Sequence, residues 1–295
     1  MSSKRCGGIS VGVFQNLCDV PAGDPAIVAK RAEALGFDSY WLPEHVVIPE
    51  GSAEVYPGKQ ADEPAPDYLF KMPDPLIGLA RASAVTTTLK LGTGVALVPE
   101  RNPINAAKEI ASLDHYSGGR FLYGIGAGWN EPECTVMGGD FDHRWTQTTE
   151  AIDVMKKLWT GENVEHHGKY YDFPPIMCRP APAHKPHPPI LLGSIASPLV
   201  FKRVAKWGDG WMPFTGDPAH IAEGNTEIAK YAKEAGRNPD DFQIILFSTP
   251  GGGMRSTAEI AEAAKAGATS VVIWLQGGDG EEICSELEDL AGSLF

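Results

Sequence analysis

The chain is poor in the features that would tie it to a membrane, a nucleic acid or an oxidising compartment. No run approaches the ~20 consecutive apolar residues of a membrane span. The opening stretch MSSKRCGG has no apolar signal region, so a cytoplasmic protein is expected. Positive charge is scarce: 25 Lys plus Arg against 38 Asp plus Glu leave a net charge of −13, which disfavours nucleic acid and anionic membrane as partners. Cysteine is sparse too. Cys6, Cys18, Cys134, Cys178 and Cys284 are odd in number and contain no C-x-x-C, so they read as free thiols under reducing conditions.

What is present is a repeated alternation of strand and helix. Residues 88–132 show it best: an apolar run at 89–98 broken by Gly92 and Gly94, a helix opening at Asn102-Pro103, and a second apolar strand at 121–125 running into Gly126, Ala127 and Gly128. Two parallel strands joined by a helix form a right-handed βαβ unit. The same pattern places the other strands at 9–14, 38–42, 189–193, 209–212, 242–248 and 269–275. Five helices open with a capping side chain followed by proline: Asp24, Asn102, Asp74, Ser197 and Asp217. Ser256 and Glu259 make a capping box for another. Eight strands, each followed by a helix, predict an α/β chain folded as one (β/α)8 barrel over residues 1–295, with a doubly wound sheet as the alternative. Long irregular connections are expected at 46–73 after strand two and at 160–188 beyond strand four; such loops are usually functional or mobile.

In such a barrel the C-terminal strand ends converge on the site. Here they bring Glu44 and His45, Thr93 to Val95, Gly128 to Asn130, Gly193 and Ser194, Ser248 and Thr249, and Gln276 to Gly278. No lysine stands at a strand end, which disfavours Schiff-base chemistry. No H-x-H or carboxylate cluster suggests a metal, and His184-x-x-His187, flanked by Pro186 and Pro188, is not a convincing ligand pair. Glycines with a few hydrogen-bonding groups suit a bulky flat ligand lying against backbone. His45 has two readings: a group exchanging a proton with that ligand, or a hydrogen-bonded residue under the following loop. Glu44 is either its orienting partner or a solvated acid. A phosphate has three candidate cradles, at Gly193-Ser194, at Pro250 to Gly253 and at Gln276 to Gly280. Trp211 and Trp274 read as core or rim packing rather than stacking platforms, whereas Trp129, which follows the glycine turn, is set apart.

The stretches ALGFDSYWLPEH (34–45), LGTGVALVPERNP (91–103), LDHYSGGRFLYGIGAGWN (113–130) and AKWGDGW (205–211) give the chain, over nearly its whole length, a resemblance to the luciferase-like monooxygenase superfamily. They look most like its coenzyme F420-dependent branch. The resemblance implies that His45, preceded by the acidic Glu44, faces the reactive deazaflavin carbon. It implies a non-proline cis peptide at Gly94-Val95, next to Thr93, behind the central ring. It places Gly128, Trp129 and Asn130 beside the ring and the phosphate at Gly193-Ser194. It further implies hydride transfer to or from a small organic substrate, a homodimer, and a separate reductase that regenerates the reduced cofactor. FMN in a two-component monooxygenase is the alternative, and a non-catalytic flavin- or deazaflavin-binding protein a second. At Trp129 some deazaflavin dehydrogenases carry a glutamate acid, so sugar-phosphate dehydrogenation is disfavoured. The loop at 46–73 departs from the shorter loops of many relatives.

Overall fold

Eight parallel strands close into a barrel in the computed structural model, which describes residues 3–16, 23–58, 62–213, 217–249 and 252–295. They are β1 (Ile9–Phe14), β2 (Ser39–Leu42), β3 (Lys90–Thr93), β4 (Phe121–Gly126), β5 (Ile190–Ser194), β6 (Gly210–Pro213), β7 (Gln243–Phe247) and β8 (Ser270–Trp274). Each pairs in parallel with the next, and β8 pairs back onto β1, which closes the ring. The predicted barrel is therefore the observed one. A short strand at Arg5–Cys6 lies antiparallel on β1.

Helices α1 (Pro25–Leu35), α2 (Pro75–Val85), α3 (Pro103–Ser117), α4 (Glu131–Val136), α5 (Arg144–Trp159), α6 (Pro198–Trp207), α7 (Pro218–Glu234), α8 (Thr257–Lys265) and α9 (Gly280–Leu294) surround the strands. All five capped-proline starts are used as read: the side chains of Asp24, Asp74, Asn102, Ser197 and Asp217 each accept a hydrogen bond from a first-turn N–H. Gly36 and Gly118 end α1 and α3 in the left-handed region.

Two apolar cores follow from the two faces of the strands. One lies between strands and helices; the other fills the barrel with Phe14, Trp41, Leu122, Leu191, Met212, Ile245 and Val272. Trp41 fits only because Gly92 has no side chain: a Cβ there would stand 2.1 Å from the indole.

Three boundaries differ from the reading of the sequence. The long third strand is two, since Ala96–Leu97 pairs with β4 after a break at Gly94-Val95, a cis peptide as the resemblance implied. The helix that the spacing of Ile152, Met155 and Leu158 predicts over 141–159 begins at Arg144 and is preceded by the short α4. Residues 160–188 are not one loop: Asn163–His167 and Asp172–Met177 form an antiparallel hairpin. Its strands are mostly exposed, irregular in register near Val164 and His166, and carry Pro174 and Pro175, so the alternation that marks a half-buried strand is missing.

The N-terminal face of the barrel is tied by charged side chains with full sets of partners. Glu33 accepts from the backbone N–H groups of Thr87, Thr88 and Leu89 at 2.6–2.9 Å and from the Thr88 hydroxyl. Burial pushes its carboxyl up, but those donors together outweigh burial and hold it down at about 2. Arg120 donates to the carbonyls of Ser83, Thr86, Leu89 and Ser117, and Arg237 to those of Val204, Ala205 and Gly208. Among the described residues no helix is long and apolar enough to cross a membrane.

Candidate active site

The strand ends β2, β3, β4 and β5 are successive neighbours in the ring, so His45, Val95, Gly128 and Ser194 share one arc of the C-terminal mouth. Glycines let the backbones crowd there. A Cβ on Gly124 would meet the Thr93 carbonyl at 2.0 Å, and one on Gly126 would meet Val95 at 2.7 Å. The Thr93 hydroxyl donates to the Gly124 carbonyl at 2.6 Å, and the Gly94 N–H to the Leu42 carbonyl at 2.8 Å. Gly94 and Val95 are partly exposed above the inner core. With Phe247 and Trp274, Val95 makes an apolar floor.

His45 stands at the centre of a polar network. Its Nδ1 lies 2.6 Å from Glu133 Oε2, and its Nε2 is 3.3 Å from the indole N–H of Trp129. An indole N–H only donates, so Nε2 accepts and the proton of the neutral imidazole sits on Nδ1, facing Glu133. Glu133 is fully buried and its other oxygen accepts from the N–H groups of Val46 and Val47 at 2.8 and 3.3 Å. Asn130 is the cap of α4; its oxygen faces the Glu133 N–H and its amide donates to Ser52 at 3.0 Å. The turn after β4 is thereby locked to the loop after β2.

Glu44 is buried, not solvated. It accepts from the Leu97 N–H at 2.6 Å and from the Arg101 guanidinium through Nε at 2.7 Å and Nη2. Burial, the largest influence, pushes its carboxyl up, while Arg101 and Leu97 act the other way; the two-pronged guanidinium contact belongs to an ionised carboxylate. Glu44 thus braces the segment after β3, and its side chain does not touch His45 among the contacts described. Arg101 also reaches Asp74 at 2.6 Å.

The loop at 46–73 lays two tyrosines across the mouth. Ring contacts run from His45 to Trp129 (5.3 Å), Tyr56 (5.4 Å), Tyr68 (6.3 Å) and Trp274 (5.8 Å), so the belt joins the β4 turn to the end of β8. The Tyr68 hydroxyl donates to that of Tyr56 at 3.1 Å. Trp211, read as packing, is buried and its N–H donates to the Ser194 carbonyl at 3.0 Å.

The three phosphate cradles now differ. Gly193 is buried and Ser194 partly exposed at the start of the α6 connection. The N–H groups of Gln276 and Gly277 are taken by Glu286, and that of Gly278 by Glu282. Pro250 and Gly251 lie outside the described residues; Gly252 and Gly253 border a cavity of about 260 Å³ whose wall includes Glu259 and Glu262, acids ill-suited to an anion. Among the described residues no group of three or more His, Cys, Asp or Glu is placed to hold a metal ion.

Several groups at the site were not singled out from sequence. Glu133 had a signal, since Asn130-x-x-Glu133 is a capping pattern. Tyr56, Tyr68 and Glu100 had none. Asn16, beyond β1, is buried with neither its amide nitrogen nor its oxygen hydrogen-bonded.

Residues 21–279 match the model of the luciferase-like monooxygenase family. An uncharacterised protein of Mycobacterium tuberculosis is 33% identical over 270 residues, which is 92% of this chain and 93% of that one. Among solved structures, a monooxygenase from Streptomyces bottropensis superposes with a TM-score of 0.77 at 20% identity, covering 97% of this chain and 98% of the other. The coenzyme F420-dependent tetrahydromethanopterin reductase of Methanopyrus kandleri does so with a TM-score of 0.74 at 20% identity and the same coverage. At that identity the likeness is one of fold.

Proposed function

The chain belongs to the luciferase-like monooxygenase family, and on that premise we propose that it is an oxidoreductase that moves a hydride between coenzyme F420 and a small organic substrate. The observation that carries this reading is the Glu133–His45–Trp129 chain: a buried carboxylate fixes the imidazole so that its proton-accepting Nε2 points at a donor inside a barrel mouth. The choice of deazaflavin over FMN rests on the sequence stretches that resemble the F420-dependent branch.

The residues present fit a flat ring system. Val95, Phe247 and Trp274 offer an apolar floor, and the unpartnered Asn16 amide can pair with ring carbonyl and N–H groups. Ser194 and the backbone beside it would hold the phosphate, while Thr93, Gly94, Gly128 and Asn130 shape the wall. When bound, F420 supplies hydride chemistry at a carbon that reacts poorly with oxygen. His45 Nε2, when a substrate hydroxyl takes the place of the Trp129 indole N–H, accepts the proton of that hydroxyl during oxidation and returns it during reduction; Glu133 offsets the charge of the imidazolium. Tyr56, Tyr68 and Trp129 exclude water from the mouth. A homodimer and a separate cofactor reductase belong to this proposal through the family resemblance.

Titrating the protein with F420 and with FMN, by quenching of cofactor fluorescence, tests the choice. Micromolar F420 binding is expected; micromolar FMN binding with none for F420 would reject it.

A further inference from the structure

Three buried carboxyl groups, from Glu44, Glu100 and Glu133, lie around the turn that carries Trp129, and among the described residues one guanidinium, that of Arg101, pairs with any of them. Arg101 is held by Glu44 and, further out, by Asp74 and Glu109. Glu133 is matched by the Nδ1–H of His45 and two backbone N–H groups. Glu100, in the short turn Val98–Glu100, is left over. It is buried, no protein donor reaches either of its oxygens, its carboxyl faces that of Glu133, and a Cβ on Gly128 would stand 3.1 Å from its Oε1, so it lies directly beneath the turn bearing Trp129. Two buried carboxylates sharing one site cannot both ionise cheaply.

We propose that Glu100 is a positioning residue that holds a proton beneath the β4 turn, so that Glu100 and Glu133 together present a single negative charge to His45. The inference rests on the reading of His45 as the proton-handling group at the mouth. Charge balance supports it: with Glu100 neutral, Glu44 is offset by Arg101 and Glu133 is the one charge left facing the neutral imidazole. The other groups facing this pocket are Cys134 on α4, whose thiol burial pushes up to about 11, and Arg144 on α5, whose Nε donates to the Gly128 carbonyl; Asp140 stands nearby. None supplies a second cation to Glu100 itself. Burial, then the charges of Glu133 and Glu44, push the Glu100 carboxyl up to about 9. An ionised Glu100 would double the negative charge behind His45, a change of field that the ring nitrogens of the imidazole report.

The test uses the full-length protein without cofactor. Ring-nitrogen chemical shifts of His45 are followed by NMR from pH 6 to 11 in the wild type and in Glu100→Gln. The wild type should show, besides the titration of His45, a second inflection near pH 9. In Glu100→Gln that inflection should be lost while the curve below pH 8 is unchanged. Curves that superimpose over the whole range would overturn the proposal. So would a Glu100→Gln curve displaced already near neutral pH, which would mean that Glu100 is ionised there. A purely structural role moves neither feature, and circular dichroism of the isosteric variant checks its fold. Because no cofactor is used, loss of the pH 9 inflection alongside unimpaired turnover of His45→Ala would sink the functional reading and leave the assignment of Glu100 intact.

Discussion

Glu33, Arg120 and Arg237 at one end of this barrel and Glu100, Asn16 and His45 at the other meet their surroundings differently. At the N-terminal face, Glu33, Arg120 and Arg237 each take several backbone partners, and the bonds tie helix ends to the segments that lead into neighbouring strands. At the C-terminal face, Asn16 is buried without a hydrogen-bond partner, Glu100 is buried facing another carboxyl, and His45 is held by a carboxylate on one side and an indole N–H on the other. A satisfied network has finished its work when the chain is folded. Orphaned groups are costly, about 1–3 kcal/mol each, and a fold retains them where something else is to be bound or protonated.

The sharpest way to break this contrast is to truncate the centre of the upper network. His45→Ala should lower kcat in an F420-coupled assay by about 10²–10⁴-fold, the range of general acid–base catalysis, and should also lower the thermal unfolding midpoint, because it leaves the buried Glu133 carboxylate without its imidazole partner. Unaltered turnover would make the imidazole a packing residue, and the two ends would then be alike.

The ends should also titrate in opposite directions. Glu33 has a carboxyl depressed from 4.5 to about 2, so its stabilisation is complete above pH 4.5 and is lost as the pH falls through about 2. Glu100 is raised from 4.5 to about 9, so its contribution is complete below pH 4.5 and is lost as the pH rises through about 9, by up to about 1.4 kcal/mol per pH unit. Denaturant unfolding across pH should show Glu33→Gln costing about 1–3 kcal/mol at pH 7 with little effect on turnover. Glu100→Gln should instead flatten the alkaline decline.

The smallest effect is expected at the belt. Tyr68→Phe removes one hydroxyl bond to Tyr56, worth about 0.5–1.5 kcal/mol, and should raise KM a few-fold with kcat preserved. A change confined to kcat would place Tyr68 in the chemistry.

Much of the barrel was legible because its causes are local. Asp24, Asp74, Asn102, Ser197 and Asp217 announce helix starts through a side chain and a proline that act within one turn. The strand ends could be listed for the same reason, and that list included His45 and Trp129. The hairpin at 163–177 escaped because exposed strands need no apolar alternation. Glu133 and Glu100 escaped because their meaning is a matter of what lies opposite. Glu133 is 88 positions from His45 along the chain.

Capping side chains, glycine breaks and runs of buried aliphatics were enough to determine eight strands, their helices and one mouth, since each acts over a few residues of chain. Which carboxyl meets Arg101, which meets His45, and which is left without a donor depended on bringing three connections to one rim. Coulombic and solvation energies vary with distance and burial in space, and only the closed barrel sets those.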